Sequence, residues 1–97
     1  MSIRLVVTIK ALPGKGDELA RAFRERCPEV RKEPGCEHYE AFQSASDPDT
    51  LVMLERWTDQ AALDLHAKVM AEAGGPVRGD LRAGPAQRED YVYNRTR

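Results

Sequence analysis

The feature that most constrains the fold is the stretch at residues 50–66, TLVMLERWTDQAALDLH, where a strand pattern passes directly into a helix pattern. An apolar run with polar intrusions ends at Trp57, the only tryptophan in the chain, and strand alternation places Leu51, Met53, Glu55 and Trp57 on one face. Either Thr58 or Asp59 then caps the amino terminus of the following helix. His66 follows on the inward face of the predicted helix. The stretch therefore predicts one strand–cap–helix unit that brings Glu55, Trp57 and His66 towards the same end.

The other regular elements follow from the same two periodicities and from turn residues. Gly74-Gly75-Pro76 ends the second helix, and residues 71–88 are expected to form an irregular loop or a short helix. The order β-α-β-β-α-β predicts an α+β fold of the split β-α-β kind, a four-stranded antiparallel sheet with two helices on one face. The predicted strands are residues 3–10, 36–43, 50–57 and 89–94, and the predicted helices are residues 17–33 and 60–73.

Details of two of these elements depend on single residues. Asp17 is expected to cap the first helix with its carboxylate. Pro28 lacks an amide proton and crowds the preceding turn, so it predicts a kink or a break in that helix. In the second strand, alternation places Cys36 and His38 on one face and Tyr39 on the other.

Composition favours a single domain over residues 1–97, with a core at about residues 3–94. Fifteen basic and sixteen acidic residues are interspersed, giving a net charge of −1, which does not favour nucleic acid or an anionic membrane as a partner. No apolar run approaches the roughly 20 residues of a membrane span, and the amino terminus lacks a signal-peptide pattern. A cytoplasmic location is expected, with Cys27 and Cys36 as reduced, partly buried thiols.

Two helices cover only one face of a sheet, yet strands 3–10 and 50–57 have apolar residues on both faces. Leu5 on one face is followed by Val6 on the other, and Met53 by Leu54 in the same way. An apolar open face favours a partner. We therefore expect a homodimer that forms through the sheets with twofold symmetry.

The residues that can carry chemistry cluster around the 50–66 unit. His66 is the candidate base, because its unperturbed pKa lies near neutrality; alternatively it is a core histidine bound by a backbone carbonyl or by Glu55. Trp57 is either a stacking wall for an aromatic ligand or core filler, and filler is favoured. Glu55 is expected to support the site through an ion pair across strands or a helix-cap contact. Tyr39, Tyr91 and Tyr93 are candidates to orient a substrate hydroxyl, and at least one of them is expected to pack in the core or the dimer interface. No ligand pattern supports a metal site.

Several segments, taken in order, resemble the antibiotic biosynthesis monooxygenase (ABM) family. The resemblance runs from Ile3 to about Met70. It is carried by the segments PGKGDEL at residues 13–19, EPGCEHYE at 33–40, LVMLERW at 51–57 and TDQAALDLH at 58–66.

This resemblance implies a ferredoxin-like domain that dimerises through its sheets into a dimeric α+β barrel, with a small-molecule pocket between sheet and helices. It also implies a cofactor-independent monooxygenase that uses O2 to oxidise a small aromatic phenol or quinol without metal, flavin or heme. Such chemistry requires from the protein a base, a shaped pocket and exclusion of water. His66 would be the base, and Trp57, Tyr39 and Tyr91 would contact the substrate.

Other functions remain open on the same scaffold. One is a non-catalytic, small-molecule-binding or stress-associated dimer, and another is an isomerase or lyase. Heme degradation is disfavoured, because heme-degrading relatives resemble one another in an asparagine on the first strand and a histidine–tryptophan pair on the second helix. Here the only asparagine is Asn94, and Trp57 lies at a strand end.

Overall fold

The computed structural model describes all 97 residues and has the predicted order of elements. The α+β class and the split β-α-β arrangement are confirmed. Neither main helix is long and apolar enough to cross a membrane. The strands are β1 (Ile3–Lys10), β2 (Cys36–Gln43), β3 (Thr50–Trp57) and β4 (Gln87–Val92), and the helices are α1 (Gly16–Val30), α2 (Gln60–Glu72) and a 3-10 turn at Gly79–Leu81.

The four strands form one antiparallel sheet in the order β2-β3-β1-β4. In the β1–β3 pair, Leu5 lies opposite Glu55 and Val7 lies opposite Met53. Directly opposed residues in antiparallel strands point to the same face of the sheet, so all four side chains lie on the face that the helices cover. The buried stripe of α1 packs against this face, through Leu19, Phe23, Cys27 and Val30.

The β2–β3 hairpin contains an irregularity that simple alternation does not predict. A β-bulge lies between Cys36 and His38, so that Cys36 pairs with Trp57 while His38 pairs with Arg56. The extra residue moves Cys36 to the helix-covered face, where it packs against the core. The prediction that Cys36 and His38 share a face is therefore wrong, whereas Tyr39 is buried on the helix-covered face, opposite His38, as predicted.

The amino terminus of α1 is bound from across the fold. The carboxylate of Asp49, just before β3, accepts hydrogen bonds from Gly14 N and Gly16 N, both at 2.9 Å. Asp17 lies in the first turn of α1 and accepts instead from the side chain of Gln43 at 2.8 Å. The prediction that Asp17 caps the helix is wrong, because a residue distant in sequence satisfies the amide groups first.

The carboxyl end of α1 runs through Pro28 and ends at Val30. Of the predicted kink or break at this proline, the break is wrong, because the helix is continuous. A proline in the last turn removes only one hydrogen bond of the helix, and the carbonyl it leaves unpaired belongs to Arg24, which is exposed.

The second helix begins at the predicted joint. Asp59, and not Thr58, is the N-cap, since its carboxylate accepts a hydrogen bond from Ala62 N at 2.9 Å. Leu63 and His66 are the buried side chains of α2. Beyond the helix, Leu81 in the 3-10 turn returns to the core, so the short helical turn expected in this segment is present.

The edge strand β4 is exposed along its whole length. It begins at Gln87 and ends at Val92, slightly before the predicted 89–94. The helices pack mainly against β2 and β3, and a cavity lies between α2 and the side of the sheet that carries β1 and β4.

Candidate active site

A buried hydrogen bond joins His66 on α2 to Glu33 in the turn between α1 and β2. The atoms Nδ1 of His66 and Oε1 of Glu33 lie 2.9 Å apart, and the side chains are only 5% and 15% exposed. An ionised carboxylate accepts hydrogen bonds and donates none, so Nδ1 carries the proton. Nε2 of the neutral ring is then an unprotonated nitrogen that can act as a base.

The partner of His66 differs from both of the predicted ones. Neither a backbone carbonyl nor Glu55 binds the ring; Glu33 does. The turn that carries Glu33 is fixed against α2 by Gly35, whose φ is +79° and whose carbonyl accepts a hydrogen bond from Thr58 N at 2.9 Å. This contact places the residues before β2 beside the first turns of α2.

Two aromatic rings hold the imidazole from other sides. The indole of Trp57 stacks on His66, with ring centroids 4.5 Å apart and planes inclined by 29°. Tyr39 meets the same ring edge-on at 5.6 Å and 65°. With Glu33 on Nδ1, these contacts leave His66 little freedom to rotate, which is the kind of support that a catalytic base requires.

Glu55 supports this arrangement through the tryptophan. Its Oε1 accepts a hydrogen bond from Nε1 of Trp57 at 3.0 Å, so the predicted supporting role has a contact, but the predicted ion pair or helix cap is wrong. Burial raises the pKa of Glu55, although the hydrogen bond from Trp57 and the nearby charges of His66 and Arg88 oppose the shift. The environment therefore favours the neutral acid more than water does.

A cavity of about 490 Å³ opens beside His66, between α2, the sheet and the segment before β4. Its volume is within the range of small-molecule sites, about 300–1,000 Å³. Aliphatic side chains form much of the wall, and four polar side chains interrupt it. The apolar part includes Leu5, Val7, Leu63, Ala67, Met70 and Ala71, and the polar part consists of Glu55, His66, Arg82 and Arg88.

The free nitrogen of His66 faces accessible space. Nε2 has no hydrogen-bond partner in the protein, whereas every fully enclosed side-chain nitrogen and oxygen has one. Since His66 lines the 490 Å³ cavity, Nε2 is available to a molecule bound there.

The sequence-predicted site residues are only partly brought together. His66 and Glu55 line the cavity. Trp57 is 0% exposed and lies behind His66, which matches core filler more closely than a ligand wall. Tyr39 also backs the histidine and borders a separate cavity of about 300 Å³. Tyr91 pairs with Arg4 on the open face, is 52% exposed, and bonds Glu89, so the structure does not bring it to His66.

Three charged residues of the site, Glu33, Arg82 and Arg88, are missing from the sequence-based prediction. Glu33 belongs to the EPGC segment, where the proline and glycine look like a helix stop, and its contact with His66 spans 33 residues of sequence. Arg82 lies in the irregular segment before β4 and has no periodic pattern around it. No group of three or more histidine, cysteine, aspartate or glutamate side chains is placed to hold a metal ion.

Comparison with known proteins gives one consistent family. The model of the family described as antibiotic biosynthesis monooxygenase matches residues 2–69. The chain is 31% identical over 84 residues to "Putative monooxygenase YcnE" of Bacillus subtilis (strain 168), a match that covers 86% of this chain and 88% of that protein.

Solved structures have the same fold. A conserved protein from Methanosarcina mazei Go1 superposes with a TM-score of 0.83 at 26% identity, covering 97% of this chain and 94% of the other. A structure described as an antibiotic biosynthesis monooxygenase gives 0.81 at 23% identity, covering 96% and 99%. At that identity the second likeness concerns the fold alone.

Proposed function

The chain belongs to the antibiotic biosynthesis monooxygenase family, and from this premise we propose that it is a cofactor-independent monooxygenase acting on a small aromatic phenol or quinol. The observation that carries the proposal is the geometry of His66. Its Nδ1 is held by Glu33 at 2.9 Å, and its Nε2 is free beside a largely aliphatic cavity. A phenol bound there would meet a positioned base beside a largely aliphatic wall.

In this proposal His66 begins the reaction by taking the hydroxyl proton at Nε2. The resulting phenolate is electron-rich enough to pass an electron to O2, and the radical pair combines to form a carbon–oxygen bond. Glu33 stabilises the imidazolium that forms, because its carboxylate accepts the hydrogen bond from Nδ1. The protein supplies the base, the orientation and the apolar wall, and the substrate supplies the electrons.

The reaction balances without a further reductant. With hydrogen on the reacting carbon, the ring peroxide anion takes the proton held by His66 and becomes a hydroperoxide, which returns the imidazole to its neutral form. Nε2 of His66 then accepts the proton lost from that carbon while the oxygen–oxygen bond breaks. One atom of O2 becomes the new carbonyl oxygen of a quinone and the other leaves as hydroxide. The proton now on His66 converts this hydroxide to water and leaves the ring neutral again.

The homodimer expected from the sequence remains part of this proposal. The open face of the sheet presents the partly exposed Val6, Val52 and Leu54 and the more exposed Phe42. Covering these side chains with the same face of a second copy would remove an apolar surface from water in a twofold arrangement.

The two histidines of the chain, His66 in the site and His38 outside it, provide the test and its control. We expect oxygen consumption with a panel of phenols and quinols, and we expect His66→Gln to lower kcat about 10²–10⁴-fold, the usual contribution of a general base. Glu33→Gln should lower kcat about 10-fold or more, because an amide orients the ring less well and cannot stabilise the imidazolium as a carboxylate does. The measurement is the initial rate of O2 uptake, with the quinone product followed by absorbance.

His38→Gln is the control, since His38 is the only other histidine and it bonds Arg4 and Glu40 on the opposite face of the sheet. Equal rates for the wild type and His66→Gln would contradict the role of His66. Ligand-induced thermal stabilisation without O2 uptake across the panel would instead support a non-catalytic small-molecule-binding dimer.

A further inference from the structure

Of the two arginines on the cavity wall, Arg82 is the one without a carboxylate partner. Arg88, the other arginine of the wall, forms two hydrogen bonds of 2.6 Å to the carboxylate of Asp90. No carboxylate, that of Glu55 included, lies within 4.0 Å of the side-chain nitrogens of Arg82. Burial raises the pKa of Glu55 and so favours its neutral form. The cavity wall therefore includes a guanidinium without a carboxylate partner.

The guanidinium of Arg82 is held in place before any ligand arrives. Its Nε donates a hydrogen bond to the carbonyl of Val77 at 3.0 Å, and its central carbon lies 5.6 Å from the ring centroid of Phe23. The backbone is fixed as well, by an antiparallel bridge to Ala11. The two η nitrogens have no partner in the protein and are not enclosed, so they remain free to donate.

We propose that the substrate of this cavity is an aromatic acid, whose carboxylate is bound by the free η nitrogens of Arg82 while its ring lies against the aliphatic wall beside His66. This inference rests on the small-molecule site proposed above and adds the charge of the molecule that the site takes. It does not depend on whether the bound molecule is oxidised.

A carboxylate matches these donors in geometry and in charge. Arginine presents its nitrogens in one plane, and a planar carboxylate can accept from two of them at once. Burial lowers the pKa of Arg82, which means that the surroundings penalise its positive charge. A bound anion would offset this cost, whereas a neutral phenol would leave it unchanged.

Arg82→Gln separates this role from a structural one. The Nε2 of glutamine occupies the same position along the side chain as the Nε of arginine, so it can keep the hydrogen bond to Val77 while the η nitrogens and the charge are lost. Arg21→Gln, on the exposed face of α1, is the matched control. Circular dichroism and thermal unfolding establish that each variant is folded.

The experiment is calorimetric titration without oxygen, using dihydroxybenzoates and the corresponding neutral dihydroxybenzamides on the full chain. We expect the wild type and Arg21→Gln to bind at least one acid about 10-fold or more tightly than its amide, from charge-assisted hydrogen bonds. In Arg82→Gln the ratio should fall to about 1, with the amide affinity retained.

Equal affinities for acid and amide in the wild type overturn this inference, as does a preference that survives in Arg82→Gln or the absence of binding by every acid. These results are independent of turnover. Acid binding without O2 uptake would contradict the proposed oxygenation and support the carboxylate-binding role of Arg82. Oxidation of neutral quinols without any binding preference for acids would support the oxygenation and contradict that role.

Discussion

At the scale of single residues, the fold places Glu55 where burial opposes its ionisation. It is enclosed between sheet and helix and has one hydrogen-bond partner, Nε1 of Trp57. Its pKa is raised from the usual 4.5 by burial. A carboxyl group with a raised pKa destabilises the folded state as it ionises, because the unfolded chain solvates the charge better.

This predicts a pH-dependent effect of Glu55→Gln. Below a pH of about 4.5 both folded and unfolded chains hold the proton, and the residue contributes no pH dependence. As pH rises above that value the unfolded chain ionises first, so the wild type loses free energy of unfolding until the folded pKa is passed. The variant, which can still accept from Trp57, should gain stability relative to the wild type over this range, by about 1.4 kcal/mol for each unit of raised pKa.

Urea unfolding at a series of pH values from 4 to 9 measures the difference. Glu25→Gln, at an exposed position of α1, serves as the control for loss of one carboxylate. Parallel stability profiles for the wild type and Glu55→Gln would contradict the raised pKa.

The sequence was sufficient to predict His66 as a buried titratable group but not to predict its partner. The inward position follows from helical periodicity within one element. Glu33 reaches the ring only because the turn before β2 packs against the start of α2, and no local pattern encodes such a contact. Asp49 at the amino terminus of α1 was missed for the same reason.

At the scale of elements, Gly35 fixes how that turn meets α2. Its φ of +79° is a conformation that side chains rarely adopt, and a Cβ placed there would overlap the Cβ of Ala62 and lie 2.7 Å from Oγ1 of Thr58. The glycine in the EPGC segment therefore does more than end a helix. It allows the first turn of α2 to lie directly against the backbone that leads from Glu33 into β2.

Gly35→Ala should accordingly destabilise the protein by about 2–4 kcal/mol, from backbone strain together with steric overlap. It should also lower the rate of O2 uptake in molecules that remain folded, because displacement of the turn moves Glu33 away from His66. Gly14→Ala is a well-matched control, since Gly14 has the same φ of +79° but open space around its Cβ position. Chemical unfolding of both variants measures the difference. Equal losses in the free energy of unfolding would show that backbone strain alone accounts for the effect, without the steric overlap at Ala62.

At the scale of the whole molecule, the class and order of elements were predictable because each element has its own periodicity and end signals. What could not be predicted are the places where register or packing overrides alternation. The bulge at Cys36 and His38 turns a side chain to the other face, and the segment before β4 supplies Arg82 to the cavity without any regular pattern. The fold could thus be predicted from local sequence signals, whereas much of the candidate site, Arg82 included, could not.

The open sheet face is suited to self-association in its polar part as well as its apolar part. Arg4 bonds Nδ1 of His38 at 2.8 Å, and Nε2 of His38 bonds Glu40 at 3.0 Å. Because these polar groups already satisfy one another, covering them costs less than covering unpaired groups. The apolar side chains between them, with Leu54 on β3, then gain from burial.

Leu54→Lys should therefore convert the proposed dimer to a monomer. A lysine on each copy would place two like charges within an apolar contact, which opposes association both by desolvation and by repulsion. Leu65→Lys is the control, because Leu65 is an exposed leucine on α2, on the other side of the molecule. Light scattering at micromolar concentration measures the molecular mass of the wild type and of both variants. A wild type that is a stable monomer, or a Leu54→Lys variant that stays dimeric, would contradict assembly through this face, and a dimer lost only in Leu54→Lys would support it.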